Sequence, residues 1–294
     1  MNRVLGIVAA LAMAGATQTV QAQASRAAGS SATTQTRIIW HPHATANCIK
    51  TDATGCSMSI EVVGDPCIQP IVSVSSSTTV SYTENGRNDQ TTSSESWSGS
   101  ACRVFISETM DGKVLGGNVL TSVVARISTG DTSSGQKAET FLGNNPLNDD
   151  VRKYLANPTY AVVVYDRSRF KQFAADGKPN VGKGFGVMQI APADAEQPWH
   201  WKRNVDAGRA QLDKAWVDAK AYPAKMRANG YPKIPDFSAK ELKLFALQSL
   251  VGEQYYVPNT NGRQWIPNNK RSDYADRLVK LEAEVAAGKS PADW

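Results

Sequence analysis

Hydrophobic and polar positions change their period once along this chain. "IVSVSSSTTVSY", residues 71–82, alternates apolar with small polar residues, the two-residue period of a half-buried strand. From about Arg37 to Ile127 the pattern stays strand-like, with "CRVFISETM" and "KVLGGNVLTSVVARI" as further runs. Asn85-Gly86 and Asp111-Gly112 fall between such runs and accept positive φ, so each predicts a hairpin. "STGDTSSGQ", residues 128–136, is small, polar and aperiodic, and reads as a linker.

Beyond it the period becomes helical. "NNPLNDDVRKYLA" has a proline near its start, acids in its first turn, and Val151 and Leu155 on one face. "NVDAGRAQLDKAWVDAKAY" puts Val205, Gly208, Leu212 and Trp216 three or four residues apart. "SAKELKLFALQSLVG" opens with the capping pair Ser238 and Glu241, and "SDYADRLVKLEAEVAAG" runs from a serine cap to a glycine. The expected fold class is α+β. A small disulfide-bonded β-sandwich or barrel spans residues 37–127, followed by an all-α domain of four to six helices over residues 137–294.

The first residues add a compartment. Arg3, the apolar run "VLGIVAALAMAGA" and the small residues of "VQAQA" read as a signal peptide, residues 1–24, cleaved after Ala22 or Ala24. The run is too short to span a bilayer comfortably, so no membrane span is expected and the protein is periplasmic or secreted. In an exported chain four cysteines, Cys48, Cys56, Cys67 and Cys102, predict two disulfides with three possible pairings. Zinc is the rival reading, but there is no CxxC pair and only His41 and His43 lie nearby, in an "HPH" that reads as a loop. No metal or other cofactor is expected. Removing Arg3 leaves a net charge of 5 − 1 = +4. That suits approach to anionic polymers without selecting one, and no arginine-rich run points to nucleic acid.

"GKGFGVMQIAP", residues 182–192, carries three glycines ahead of one amide, Gln189, set between apolar residues. It fails the GxGxxG nucleotide pattern. Upstream lies "SRFKQFAADGKPN", residues 168–180, and downstream "WHWKRNVDAG", residues 199–208. In order and spacing these three blocks resemble the lysozyme-like, soluble lytic transglycosylase domain of bacterial cell-wall enzymes, over roughly residues 140–285. The resemblance implies a lysozyme-like helical domain and a groove for peptidoglycan glycan strands, contacted by Arg167, Ser168, Phe185, Met188, Gln189 and Tyr255. The β half is not covered by it.

One departure decides the chemistry. The family's catalytic glutamate, which protonates the glycosidic oxygen, falls at the position of Arg167. A guanidinium keeps its proton in proteins and cannot act as general acid, a role worth roughly 10²–10⁴ in rate. Asp166 is adjacent, but one helical residue turns a side chain by about 100°. The family's Tyr-Asn-Gly-Gly-like segment reads Leu250, Val251, Gly252, Glu253, which makes Glu253 a second displaced carboxylate, while Tyr255, Tyr256, Trp265 and Tyr274 fit the closing pattern. Three readings follow. The protein binds glycan strands without cleaving them, or it is a lytic transglycosylase or muramidase using Asp166 or Glu253. Alternatively it is a scaffold in an exported assembly, its β domain meeting another envelope or secreted protein.

Overall fold

The computed structural model describes residues 35–41, 48–50, 58–65, 67–108, 115–268 and 273–294. Among these, the β half contains β1 (Gln35–His41), β2 (Cys48–Lys50), β3 (Met58–Asp65), β4 (Ile71–Glu84), β5 (Arg87–Ala101), β6 (Arg103–Glu108), β7 (Gly117–Ile127) and β8 (Thr132–Gly143). After it come α1 (Asn148–Leu155), α2 (Pro158–Ser168), α3 (Trp201–Ala228) and α4 (Ala239–Ser249). A short hairpin of β9 (Tyr256–Pro258) and β10 (Trp265–Pro267) precedes α5 (Asp273–Ala286).

Two sheets face each other: a small one ordered β1-β3-β6 and a larger one ordered β2-β8-β7-β4-β5. The β half is therefore a sandwich. The alternation along β4 is its organising element, with Val74, Ser76, Thr78, Val80 and Tyr82 all buried. At the Ile71 end, Val74 meets Ile60 and Val62 of β3 and Val104 and Ile106 of β6. At the far end, Tyr82 leaves the small sheet behind and packs with Phe173, Phe185 and Trp199 of the helical half. One strand thus serves two cores. The turn into β5 uses Asn85 and Gly86, both at positive φ (49° and 75°).

Among the places where the chain crosses between the sheets are the corners from β3 to β4 and from β5 to β6. Cys67 sits in the first corner and Cys102 in the second. They form a disulfide with Cα atoms 5.5 Å apart, alongside a bond from the Gly64 N–H to the Cys102 carbonyl (2.9 Å). The Cys48 side chain, Cys56, His43, Asp111-Gly112 and the expected signal segment 1–24 lie outside the described residues. His41 is not in a loop but ends β1, and its ring bonds the buried Glu61 (3.0 Å).

Two expectations need correction. Residues 128–136 do not link domains: the Ile127 N–H bonds the Asp131 carbonyl (3.0 Å) in a tight turn, and β8 begins at Thr132. Its serines and glycine mimic a linker because β8 exposes alternate positions to solvent. Nor is an all-α lysozyme-like domain present after residue 137. β8 runs on to Gly143, a β9–β10 hairpin interrupts the helices, and the 170–200 segment is a bridged loop with Phe173↔Pro179, Val181↔Phe185 and Phe185↔Ile190. Among the described residues five helices remain, and the overall class is α+β.

Local chemistry explains the helices. The Asn157 side chain accepts from the Thr159 and Tyr160 N–H groups (2.9 and 3.3 Å), with Pro158 at the first helical position of α2. Ser238 and Glu241 form the reciprocal capping box of α4. No helix among the described residues is long and apolar enough to cross a membrane.

The disulfide closes a sequence separation of 35 residues. Replacing Cys67 and Cys102 together by serine is expected to cost about 3 kcal/mol, read as a lower urea midpoint with unchanged far-ultraviolet circular dichroism.

Candidate functional site

α2 delivers Asp166 and Arg167 to different neighbours, as a helical step of about 100° requires. Thr159 and Asp166 lie two turns apart and both face α5. The Thr159 hydroxyl donates to Glu282 (2.9 Å), and Asp166 receives a two-pronged bond from Arg277 (3.1 and 3.2 Å). Arg167 turns toward the loop after the glycine motif and donates to the Met188 carbonyl (3.1 Å). Its guanidinium also lies beside the buried Tyr274 hydroxyl. Burial pushes the Tyr274 phenol up and the Arg167 charge pulls it down. α2 ends on two consecutive non-glycine residues in the left-handed region, Arg169 (φ 55°) and Phe170 (φ 60°). That strained reversal is held by the complete burial of Phe170 against Tyr165 and Trp294.

The first turn of α5 gathers the candidates. Tyr274 meets Arg167. The Ala275 N–H donates to Gln248, whose amide in turn donates to Glu253 (both 2.9 Å). Asp276 accepts from the Tyr255 hydroxyl (2.7 Å), and Arg277 holds Asp166. Three of these four successive residues hold a group singled out in the sequence through hydrogen bonds, and the fourth, Tyr274, lies buried beside Arg167 with its hydroxyl unpartnered. Gln248 is fully buried and makes the relay from helix terminus to carboxylate; sequence reading missed it. Its signal was a polar residue on the apolar face of "KLFALQSL".

The other candidates have structural partners. Ser168 is buried and donates to the Val164 and Val187 carbonyls (3.1 and 2.6 Å). Met188 is fully buried against Gly208, where any Cβ would strike its side chain. Phe185 lies at the sandwich contact with Tyr82. Gln189, at φ 50°, donates to the Asn180 and Gly186 carbonyls (3.1 and 2.9 Å), so it fastens its own loop. Two further amides lace the three sequence blocks together. Gln172 accepts from the Val187 N–H (2.9 Å) and donates to the Gln197 and Pro198 carbonyls (3.3 and 2.6 Å). Asn204 accepts from the Met188 N–H (2.8 Å) and donates to the Phe185 carbonyl (3.0 Å). Gly186 is required there, since a Cβ would lie 2.6 Å from the Gln172 amide.

Among the described residues, no group of three or more His, Cys, Asp or Glu side chains is placed to hold a metal ion. What the α5 turn offers chemically is two fixed cations, Arg167 and Arg277, two buried phenols, Tyr255 and Tyr274, and three carboxylates, Asp166, Glu253 and Asp276, already accepting hydrogen bonds.

No protein-family model and no curated protein matches the chain. Two solved structures show a remote likeness. A DUF4466 family protein from Parabacteroides merdae aligns over 37% of this chain and 45% of its own, at 10% identity and a TM-score of 0.26. Spo0M, a sporulation control protein from Bacillus subtilis, aligns over 43% and 56%, at 12% identity and 0.22. The chain spans about half the length of each, and at these scores the likeness defines neither fold nor function.

Replacing Gln172 by leucine is expected to cost about 2–3 kcal/mol in a denaturation experiment, because one N–H and two carbonyls in the buried loop lose their partner. A second expectation concerns alkaline pH. Burial and the bond to Asp213 push Tyr160 up to about 12; burial and the bond to Asp276 push Tyr255 up as well. Unfolded tyrosine titrates near 10, so the folded state holds these protons more tightly. The resulting stability is complete below pH 10 and is lost as pH rises from 10 toward 12. A Tyr160→Phe variant should show a shallower loss in thermal melts across that range.

Proposed function

We propose that this is a cell-wall-directed protein that binds peptidoglycan glycan strands without cleaving them. The observation that carries the reading is the state of position 167 and its surroundings. Arg167 is fixed to the Met188 carbonyl, so the place of the resembling family's proton donor is held by a group that does not release its proton. The two carboxylates that might substitute are engaged as acceptors. Asp166 takes both arms of Arg277, and Glu253 takes the Gln248 amide. A cleaving enzyme of this kind needs a protonated carboxyl at the scissile oxygen. What supports the glycan reading is the order and spacing of the three sequence blocks. A guanidinium also suits the carboxylates of muramyl lactate and peptide stems.

Purified protein is expected to co-sediment with sacculi and release no muropeptides. Arg167→Glu should restore the proton donor against the Met188 carbonyl and give measurable release, since general acid help is worth roughly 10²–10⁴ in rate. Robust release by the unaltered protein, or sedimentation by neither protein, would reject the proposal.

A further inference from the structure

The outer face of the larger sheet is an ordered array with almost no charge. Strand register aligns its outward residues in five rows of four, one each from β5, β4, β7 and β8. One row reads Gln90, Ser81, Asn118, Thr140; the next reads Thr92, Thr79, Leu120, Ala138. Every residue in the array is exposed or half-buried. Twenty positions drawn from a chain that is 20% charged would carry about four charges. This array carries one, Arg126, in its last row. An outward β face is free to carry lysine and glutamate, and proteins ordinarily use such charges to keep sheets apart.

The array is also shaped. A depression of about 420 Å³, within the range of ligand sites, opens over the first two rows. Its lining mixes hydroxyl and amide groups with Leu120, 45% exposed, and Ala138, and includes one acidic residue, Glu139, whose carboxylate is paired with Lys137. Some hydroxyls pair across strands, as Thr79 does with Thr92 (3.0 Å). Each hydroxyl can donate one bond and accept two, so such a pair leaves further capacity toward solvent. Rows repeat at roughly 6.8 Å along the strands, and neighbours within a row at roughly 4.8 Å.

We infer that this face binds an uncharged glycan strand. A sugar polymer presents neutral hydroxyls and acetamido groups that both donate and accept, with apolar C–H faces suited to Leu120. A nucleic acid or an anionic lipid surface needs a cluster of cations, and Arg126 alone does not supply one. The inference rests on the glycan-directed reading above but places the polysaccharide backbone on the β half, away from Arg167.

The probe is the soluble β-1,4-linked N-acetylglucosamine hexamer, titrated into the full protein by calorimetry. Saturable binding is expected. Leu120→Glu and Ser77→Lys should each weaken it at least tenfold with unchanged circular dichroism and melting temperature, and Lys214→Ala, on the exposed face of α3, should leave it unchanged. Absence of binding at millimolar hexamer, or undiminished binding by both sheet variants, would overturn the inference. Sacculus sedimentation run in parallel separates the two proposals. If the unaltered protein sediments and both sheet variants still do so fully, the sheet is not the site and the glycan reading stands. If the unaltered protein does not sediment, the glycan reading fails, while the titration still decides the sheet.

Discussion

The arrangement of candidate groups depends on how the first turn of α5 is held. A helix begins with backbone N–H groups that have no partner within the helix. Here the Ala275 N–H is met by Gln248, which reaches from α4 and passes its own donor to Glu253. Around that bond, Tyr274, Asp276 and Arg277 project to Arg167, Tyr255 and Asp166 respectively. Because these residues are consecutive, moving the helix terminus disturbs all four contacts together. A buried amide with both ends engaged is costly to leave unsatisfied, which gives Gln248 its control over the site.

A guanidinium at position 167 differs from a carboxyl there in more than protonation. A carboxyl at position 167 would stand against the Met188 carbonyl, an acceptor that favours its neutral, donating form. Arginine reverses the polarity and donates to that same carbonyl. The segment around it stays tightly laced, since Gln172, Asn204 and Ser168 bond the Val187–Met188 backbone whatever occupies 167.

The β half is joined to the helices through side-chain packing rather than through a flexible tether. Tyr82 lies edge-on to Trp199 (5.1 Å between ring centres), and Arg87 at the hairpin tip donates to the Pro192 carbonyl (3.0 Å). β4 achieves this by outrunning the small sheet, so the inner face of the larger sheet is covered by two different partners. Its outer face carries a single charge, Arg126, and an open depression.

Local pattern determined much. The period-two alternation set which face of β4 is buried, Asn85-Gly86 set a hairpin, and Ser238 with Glu241 set a helix start, because each depends on residues a few positions apart. It also set that position 167 carries a guanidinium and not an acid, a matter of residue type alone. Only tertiary structure decided that residues 128–136 are a strand edge, since a serine-rich solvent face and a linker have the same composition. It likewise decided that Met188, Phe185 and Gln189 serve the loop and the core. Their partners, Gly208, Tyr82 and Asn180, are fixed by long-range packing that no local period encodes. The neutral array on the large sheet belongs to the same class. Its residues come from four strands, and strand order and register alone bring them onto one face.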